Sequence, residues 1–181
     1  MGSLLRFSRA VDRLNAAIAR SVAVLIGVMV LVGSYNAIAR QLERRVGVTL
    51  TTGGLLELQW YLFALVFLLG AAHTLRRGEH VRVDVLSGGL PTRGRRWIDC
   101  LGSFLLVVPF CVFGVWTSIP FALESFLMRE SSSDPGGLPR WPLKIALPVA
   151  FALIALQGLA DGIRHLAALR GVATGDEGRD D

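Results

Sequence analysis

Residues Glu57–Val85 read ELQWYLFALVFLLGAAHTLRRGEHVRVDV. The run opens on a carboxylate and two amphipathic aromatics, Trp60 and Tyr61. It crosses an apolar core from Leu62 to Ala72 and leaves through His73 into Arg76, Arg77 and Arg82. An apolar stretch with Trp/Tyr at one mouth and arginine at the other is the signature of a bilayer crossing with a built-in direction.

The rest of the chain agrees. Of 181 residues, 52% are hydrophobic and 18% charged, too apolar a balance for an ordinary soluble domain. The charges cluster, leaving four stretches without any: Ser21–Ala39, Leu58–Leu75, Cys100–Leu123 and Ile145–Ala160. A span takes roughly 20 apolar residues. Lys144, by snorkelling, and Trp141, as an interfacial anchor, extend the fourth. The expected fold is an all-α integral membrane protein with a single domain over 1–170. Its four transmembrane helices are expected at about 18–39, 56–75, 97–124 and 142–162, with an acidic, disordered tail at 171–181.

Charge asymmetry sets the expected topology. With both termini on one side, that side holds 13 of the Lys and Arg residues and the opposite side six, so the termini are expected in the cytoplasm. The same asymmetry accounts for the net charge of +5. No basic patch is interleaved with stacking aromatics, which argues against nucleic-acid binding. Ala37-Ile38-Ala39 resembles a cleavage site, but the apolar run before it is longer than a signal-peptide core, so an uncleaved first helix is expected.

Leu4, Phe7, Val11, Leu14 and Ile18 recur at helical spacing with Arg6, Arg9 and Arg13 between them. This predicts an N-terminal amphipathic helix lying in the headgroup region, its arginines facing anionic lipid. Ala19, Ala23 and Gly27 form a small-residue strip, and Gly158 with Gly162 a second, where helix backbones approach closely. Thr51 and Thr52 are candidate caps for span two and Thr92 for span three. Glu57 falls near the first turn of its helix, where the dipole favours negative charge. Pro109 and Pro120 permit kinks in span three, and Pro142 suits the first turn of span four. Val81, Val83 and Val85 alternate with Arg82 and Asp84 in an extended or interfacial piece.

Glu57, His73 and Glu124 are the ionisable groups nearest the membrane. Glu57 and His73 lie 16 residues apart on one helix, about 24 Å, and cannot exchange a proton directly. Interfacial anchoring is the plainer reading, and a proton or ion pathway the sharper one. His73, Glu79, His80 and Asp84 lack the spacing of a metal site and read instead as a polar knot at the exit of span two. Cys100 and Cys111, about 16 Å apart along one helix, cannot pair with each other. No Walker, dinucleotide, GxSxG or CxxC signature occurs, and nothing points to an enzyme.

The Glu57–Val85 run, followed by PGGLPRWPLKIALPVAFALIALQG from Pro135 to Gly158, resembles the DctQ-like small membrane subunit of tripartite ATP-independent periplasmic (TRAP) transporters. The resemblance extends from span one through span four. It implies a bacterial inner-membrane complex in which a soluble periplasmic protein captures an organic anion and a large subunit carries it inward with sodium. The small subunit would be a scaffold beside the large one and would offer a docking surface to the binding protein. Glu57, Trp60 and Tyr61, with Arg140, Trp141 and Pro142, would lie at the periplasmic face; His80, Arg82 and Asp84 would brace the cytoplasmic side. None is expected to touch substrate, no cofactor is expected on this chain, and sodium coupling falls to the large subunit. The PGGLPRWP form looks like the branch linked to oxo-, hydroxy- or aromatic carboxylates. A stand-alone proton-coupled transporter using Glu57 or Glu124 is the competing reading, and a membrane assembly protein without a transport partner is a third.

Overall fold

A computed structural model describes residues 2–47, 53–77, 91–134 and 136–171. It is built of helices α1 (Gly2–Val46), α2 (Gly53–Arg77), α3 (Thr92–Gly102), a π-helical turn (Ser103–Val107), α4 (Val108–Leu127) and α5 (Trp141–Leu169). Four helical segments are long and apolar enough to cross a membrane, with α3, the π-turn and α4 forming one of them.

The helix ends have local causes. α1 carries Arg44 and Arg45 in its last turn, where cations complement the helix dipole. It stops at Gly47, whose φ of 73° suits a left-handed cap and whose N–H reaches the Glu43 carbonyl. α3 starts at Thr92 behind Pro91, which occupies the cap position in extended conformation without a side-chain cap bond. Thr92 is therefore the first helical residue and not the cap expected for it. The π-turn sits just before Pro109. That proline has no N–H for the Leu105 carbonyl, and the widened turn brings the Val108 N–H to the Ser103 carbonyl. α4 runs on through Pro120. It closes in a Schellman arrangement: the Arg129 N–H bonds Phe126 O at 3.1 Å and the Glu130 N–H bonds Ser125 O at 3.0 Å. Arg129 takes the left-handed conformation there, φ 45°, at a position usually given to glycine.

The N-terminal stretch differs from its expectation. Residues 2–17 form no separate interfacial helix but the first turns of α1, since neither glycine nor proline interrupts the chain between Ser3 and Ile26. The buried positions are Ser8, Val11 and Asn15, while Leu4, Phe7 and Leu14 stay exposed. The face turned inward is thus more polar than the one turned outward. Polar partners on α5, described below, are the reason.

The described residues divide into two compact units. One draws its described residues from within 1–17, 71–114 and 151–181, the other from within 18–70 and 115–150. In both, the interior is made mostly of small and polar side chains. Ala39, Ala72, Ala122, Ala150, Ala160 and Ala167 are buried, whereas Leu31, Phe63, Phe67, Phe110 and Trp116 are exposed. Large apolar side chains outside and small ones inside is the inversion expected where the surrounding solvent is itself apolar.

Within the first unit, the predicted Gly158–Gly162 strip receives side chains. A Cβ on Gly162 would come within 2.7 Å of the Phe104 ring, and one on Gly158 within 2.9 Å of Val107. Both partners lie on the π-turn. The Phe151 ring lies against Gly114 in the same manner and meets Phe110 edge-on at 6.1 Å. The other predicted strip is open: Ala23 is exposed, and a Cβ on Gly27 would meet nothing within 4 Å.

Candidate functional site

Two polar assemblies stand out, one in each unit. The first is a clasp between the start of α2 and the loop joining α4 to α5. Ser131 and Pro139 form an antiparallel bridge, the Ser132 N–H bonds Leu138 O at 3.1 Å, and Gly136 makes the turn with φ 74°. The loop folds back on α2 because Glu57 accepts the Leu138 N–H at 2.8 Å and faces Arg140 at 3.7 Å. The Tyr61 hydroxyl, one turn along α2, donates to the Pro139 carbonyl. Close approach is possible because Gly54 and Gly137 lack side chains; a Cβ on Gly54 would lie 2.6 Å from Gly136 O.

The far side of the clasp is held by Glu130. Its carboxylate accepts from Ser125 at 2.7 Å and pairs with Lys144 of α5. These bonds hold the Glu130 carboxyl below its usual value, the Lys144 contact contributing most. Lys144 also sits over the Phe121 ring at 4.2 Å, and Trp141 meets Phe126 edge-on at 5.3 Å. In the same unit, Asn36 donates to Leu55 O at 3.2 Å and ties α1 to α2.

The second assembly is a charge network among α1, α2 and α5. The Asp12 carboxylate accepts from Arg164 at 2.6 Å and forms an ion pair with Arg76 at 3.3 Å, and Arg76 donates to the Asp12 backbone carbonyl at 3.1 Å. Arg164 also pairs with Asp161 one turn back. Gln157 links the pieces, donating to Asp161 at 2.8 Å and Asp12 at 3.1 Å and accepting from Asn15 at 2.6 Å. Ser8 donates to the Ala160 carbonyl at 3.3 Å. Two carboxylates and two guanidinium groups make the set neutral, the condition under which buried charge is tolerable. Among the described residues, no group of His, Cys, Asp and Glu side chains is placed to hold a metal ion.

The candidate residues of the sequence fare differently. Glu57, Tyr61 and Arg140 come together in the clasp, and Glu57 serves the loop rather than the first N–H groups of its own helix. Trp141 opens α5, and Pro142 lies in its first turn. Trp60 is 78% exposed and takes no part in the clasp's interior. Glu124 is exposed on α4. His73 is half-buried on α2, one turn before Arg76. His80, Arg82 and Asp84, with Glu79, Thr51, Thr52, the valine alternation and the tail from 172, lie outside the described residues.

Sequence reasoning misses the charge network and Glu130. One signal is present. Gln157, Asp161 and Arg164 recur at four and three residues, and Ser8, Asp12 and Asn15 do the same, marking one polar stripe on each helix. Counted only as topology markers, the arginines conceal it.

The family model for the DctQ component of tripartite ATP-independent periplasmic transporters matches residues 29–168 of this chain. No match is found among curated proteins or among solved structures.

Proposed function

The chain belongs to the DctQ component of the tripartite ATP-independent periplasmic transporters, and from that premise we propose that it is the static scaffold of a sodium-coupled carrier for organic anions. As a DctQ component it is the small membrane subunit of a tripartite ATP-independent periplasmic transporter and not an enzyme. In the proposed complex a large membrane subunit carries a carboxylate inward with sodium, and a periplasmic binding protein delivers it. Both termini lie in the cytoplasm, in a bacterial inner membrane. The α4–α5 loop with Glu57, Trp60, Tyr61, Arg140, Trp141 and Pro142 then faces the periplasm. His80, Arg82 and Asp84 brace the cytoplasmic side.

The observation that carries this reading is the engagement of Glu57. A proton-coupled exporter needs an acid that can change partners during the cycle. Glu57 instead holds a backbone N–H and a guanidinium that belong to one folded loop. Asp12 and Asp161 are similarly committed to arginines of their own unit. A static body has use for such commitments; a carrier moving charge through itself does not.

The test is reconstitution. The chain alone in proteoliposomes should show no flux driven by carboxylate, sodium or proton gradients, and it should co-purify with a large membrane subunit encoded beside it. Glu57→Gln should leave ion coupling of the assembled transporter unchanged. Flux from the isolated chain, or uncoupling by that substitution, would sink the scaffold reading.

A further inference from the structure

In the unit drawn from 18–70 and 115–150, α1 reaches further than the helix it pairs with. Asn36 bonds Leu55 O, Gly33 faces the Gln59 amide and Val22 lies beside Gly70, so α1 and α2 run antiparallel in a constant register. That register sets Gly53, the first residue of α2, about level with Ala39. α1 continues to Val46, about 10 Å past that level at 1.5 Å per residue.

The projecting turns carry Arg40, Arg44 and Arg45, all exposed. Residues 48–52 and Pro135 bear no charge, so every charged side chain of this unit lies among the described residues. Among them Glu57 and Glu130 are taken up by Arg140 and Lys144, and none of the three α1 arginines meets a carboxylate. The helix dipole accounts for cations in the last turn. It does not account for Arg40, nor for Leu42 and Val46, which are exposed beyond the start of α2. Asn36 and Ala39 are the buried positions here, and on the other side of the helix Ala37, Ile38, Gln41, Leu42 and Arg45 line a shallow groove. It has an apolar floor and a guanidinium at its outer end.

We propose that this projecting end of α1 docks a soluble periplasmic protein, through a surface on which carboxylates flank apolar side chains. Arginine beside exposed aliphatic side chains is the composition of a protein-binding surface. Cations on the periplasmic side run against the positive-inside rule, and recognition of an acidic partner gives them a use there. Lipid headgroups lie near the level at which α2 begins, whereas Arg44 and Arg45 stand about 8 Å further out. The proposal rests on the orientation adopted in the scaffold reading, and it names a surface apart from the α4–α5 loop.

The test uses the chain co-purified with its large membrane subunit in phosphatidylcholine nanodiscs, and the periplasmic binding protein encoded beside them. R40Q/R44Q/R45Q should weaken binding of that protein about tenfold or more at low salt, while R40K/R44K/R45K keeps most of the affinity. The affinity of the unsubstituted complex should fall as salt rises. R20Q, about 30 Å back along α1, should leave it unchanged. A photoreactive side chain at Gln41 should cross-link to the binding protein. Unaltered affinity in R40Q/R44Q/R45Q overturns the proposal, as does a cross-link to the large subunit or to lipid alone. A complex that transports with sodium coupling, but whose docking ignores the arginines, sinks this proposal and leaves the scaffold reading standing. Failure to assemble with a large subunit sinks both.

Discussion

Arg164 of α5 reaches Asp12 of α1 at 2.6 Å across 152 residues of sequence. Arg76 of α2 meets the other oxygen of the same carboxylate. One aspartate therefore holds the arginines of two helices, and both it and Arg164 are largely enclosed, at 14% and 17% side-chain exposure.

Asp12→Asn should be the most damaging conservative change on α1. It leaves Arg76 without its carboxylate and Arg164 with Asp161 alone, and breaking one side of an enclosed pair costs about 3 kcal/mol. Thermal unfolding in detergent should show the loss. Adding Arg76→Gln should recover part of it, because the Arg164–Asp161 pair remains and the double variant no longer strands a charge; strict additivity of the two losses would contradict the network.

Gly114→Ala and Gly27→Ala make a matched pair. At Gly114 the added methyl would lie 2.7 Å from the Phe151 ring, whereas at Gly27 it meets nothing within 4 Å. Overpacking at the first site should cost about 1–3 kcal/mol. The second should be neutral or slightly stabilising, since alanine is the better helix former. Equal melting temperatures for the two variants would refute this account of α4 against α5.

Arg129→Gly should stabilise the protein. The Schellman end of α4 places a side chain in the left-handed region, where glycine avoids a penalty of about 1 kcal/mol. A lower melting temperature for the glycine variant would mean that the Arg129 side chain contributes more than its backbone conformation costs.

The loop clasp should loosen in acid. Glu130 is held below the usual 4.5 by Lys144 and Ser125. A carboxyl with a lowered folded pKa contributes stability that is present above its unfolded value and is lost as pH falls through the folded one. Hydrogen exchange in residues 130–140 should therefore stay constant from about pH 7 to 5, after correction for the intrinsic rate, and quicken below 4.5. Quickening already at about pH 6 would show that another group controls the loop.

Topology can be read chemically. Ser133→Cys in the loop should react with a membrane-impermeant maleimide added to intact cells, and Ser3→Cys only after lysis. Both serines are exposed and the native cysteines are buried. The reverse pattern would invert the proposed orientation.

What can be read from the chain alone is whatever depends on neighbours in sequence. Unbroken apolar runs predict the long helices, Pro109 predicts disturbed geometry near the start of α4, and two spaced motifs point to the family. Gly158 and Gly162 announce close packing, though not that Phe104 and Val107 are the groups packed. Glu57, Tyr61 and Arg140 stand out singly, but their meeting does not, since the loop that joins them folds back through Gly136 and a bridge between Ser131 and Pro139. The N-terminal segment misleads for a related reason. Its periodicity fits an interfacial helix, but the polar stripe Ser8–Asp12–Asn15 has partners only once α5 lies beside it.

The sequence by itself thus determined that this is a helical protein with four segments able to cross a membrane, because helix formation and apolar length are local properties. Only the tertiary structure decided where its acids go. Asp12 and Arg164 can compensate each other only within a few ångströms, and no pattern along the chain states that distance.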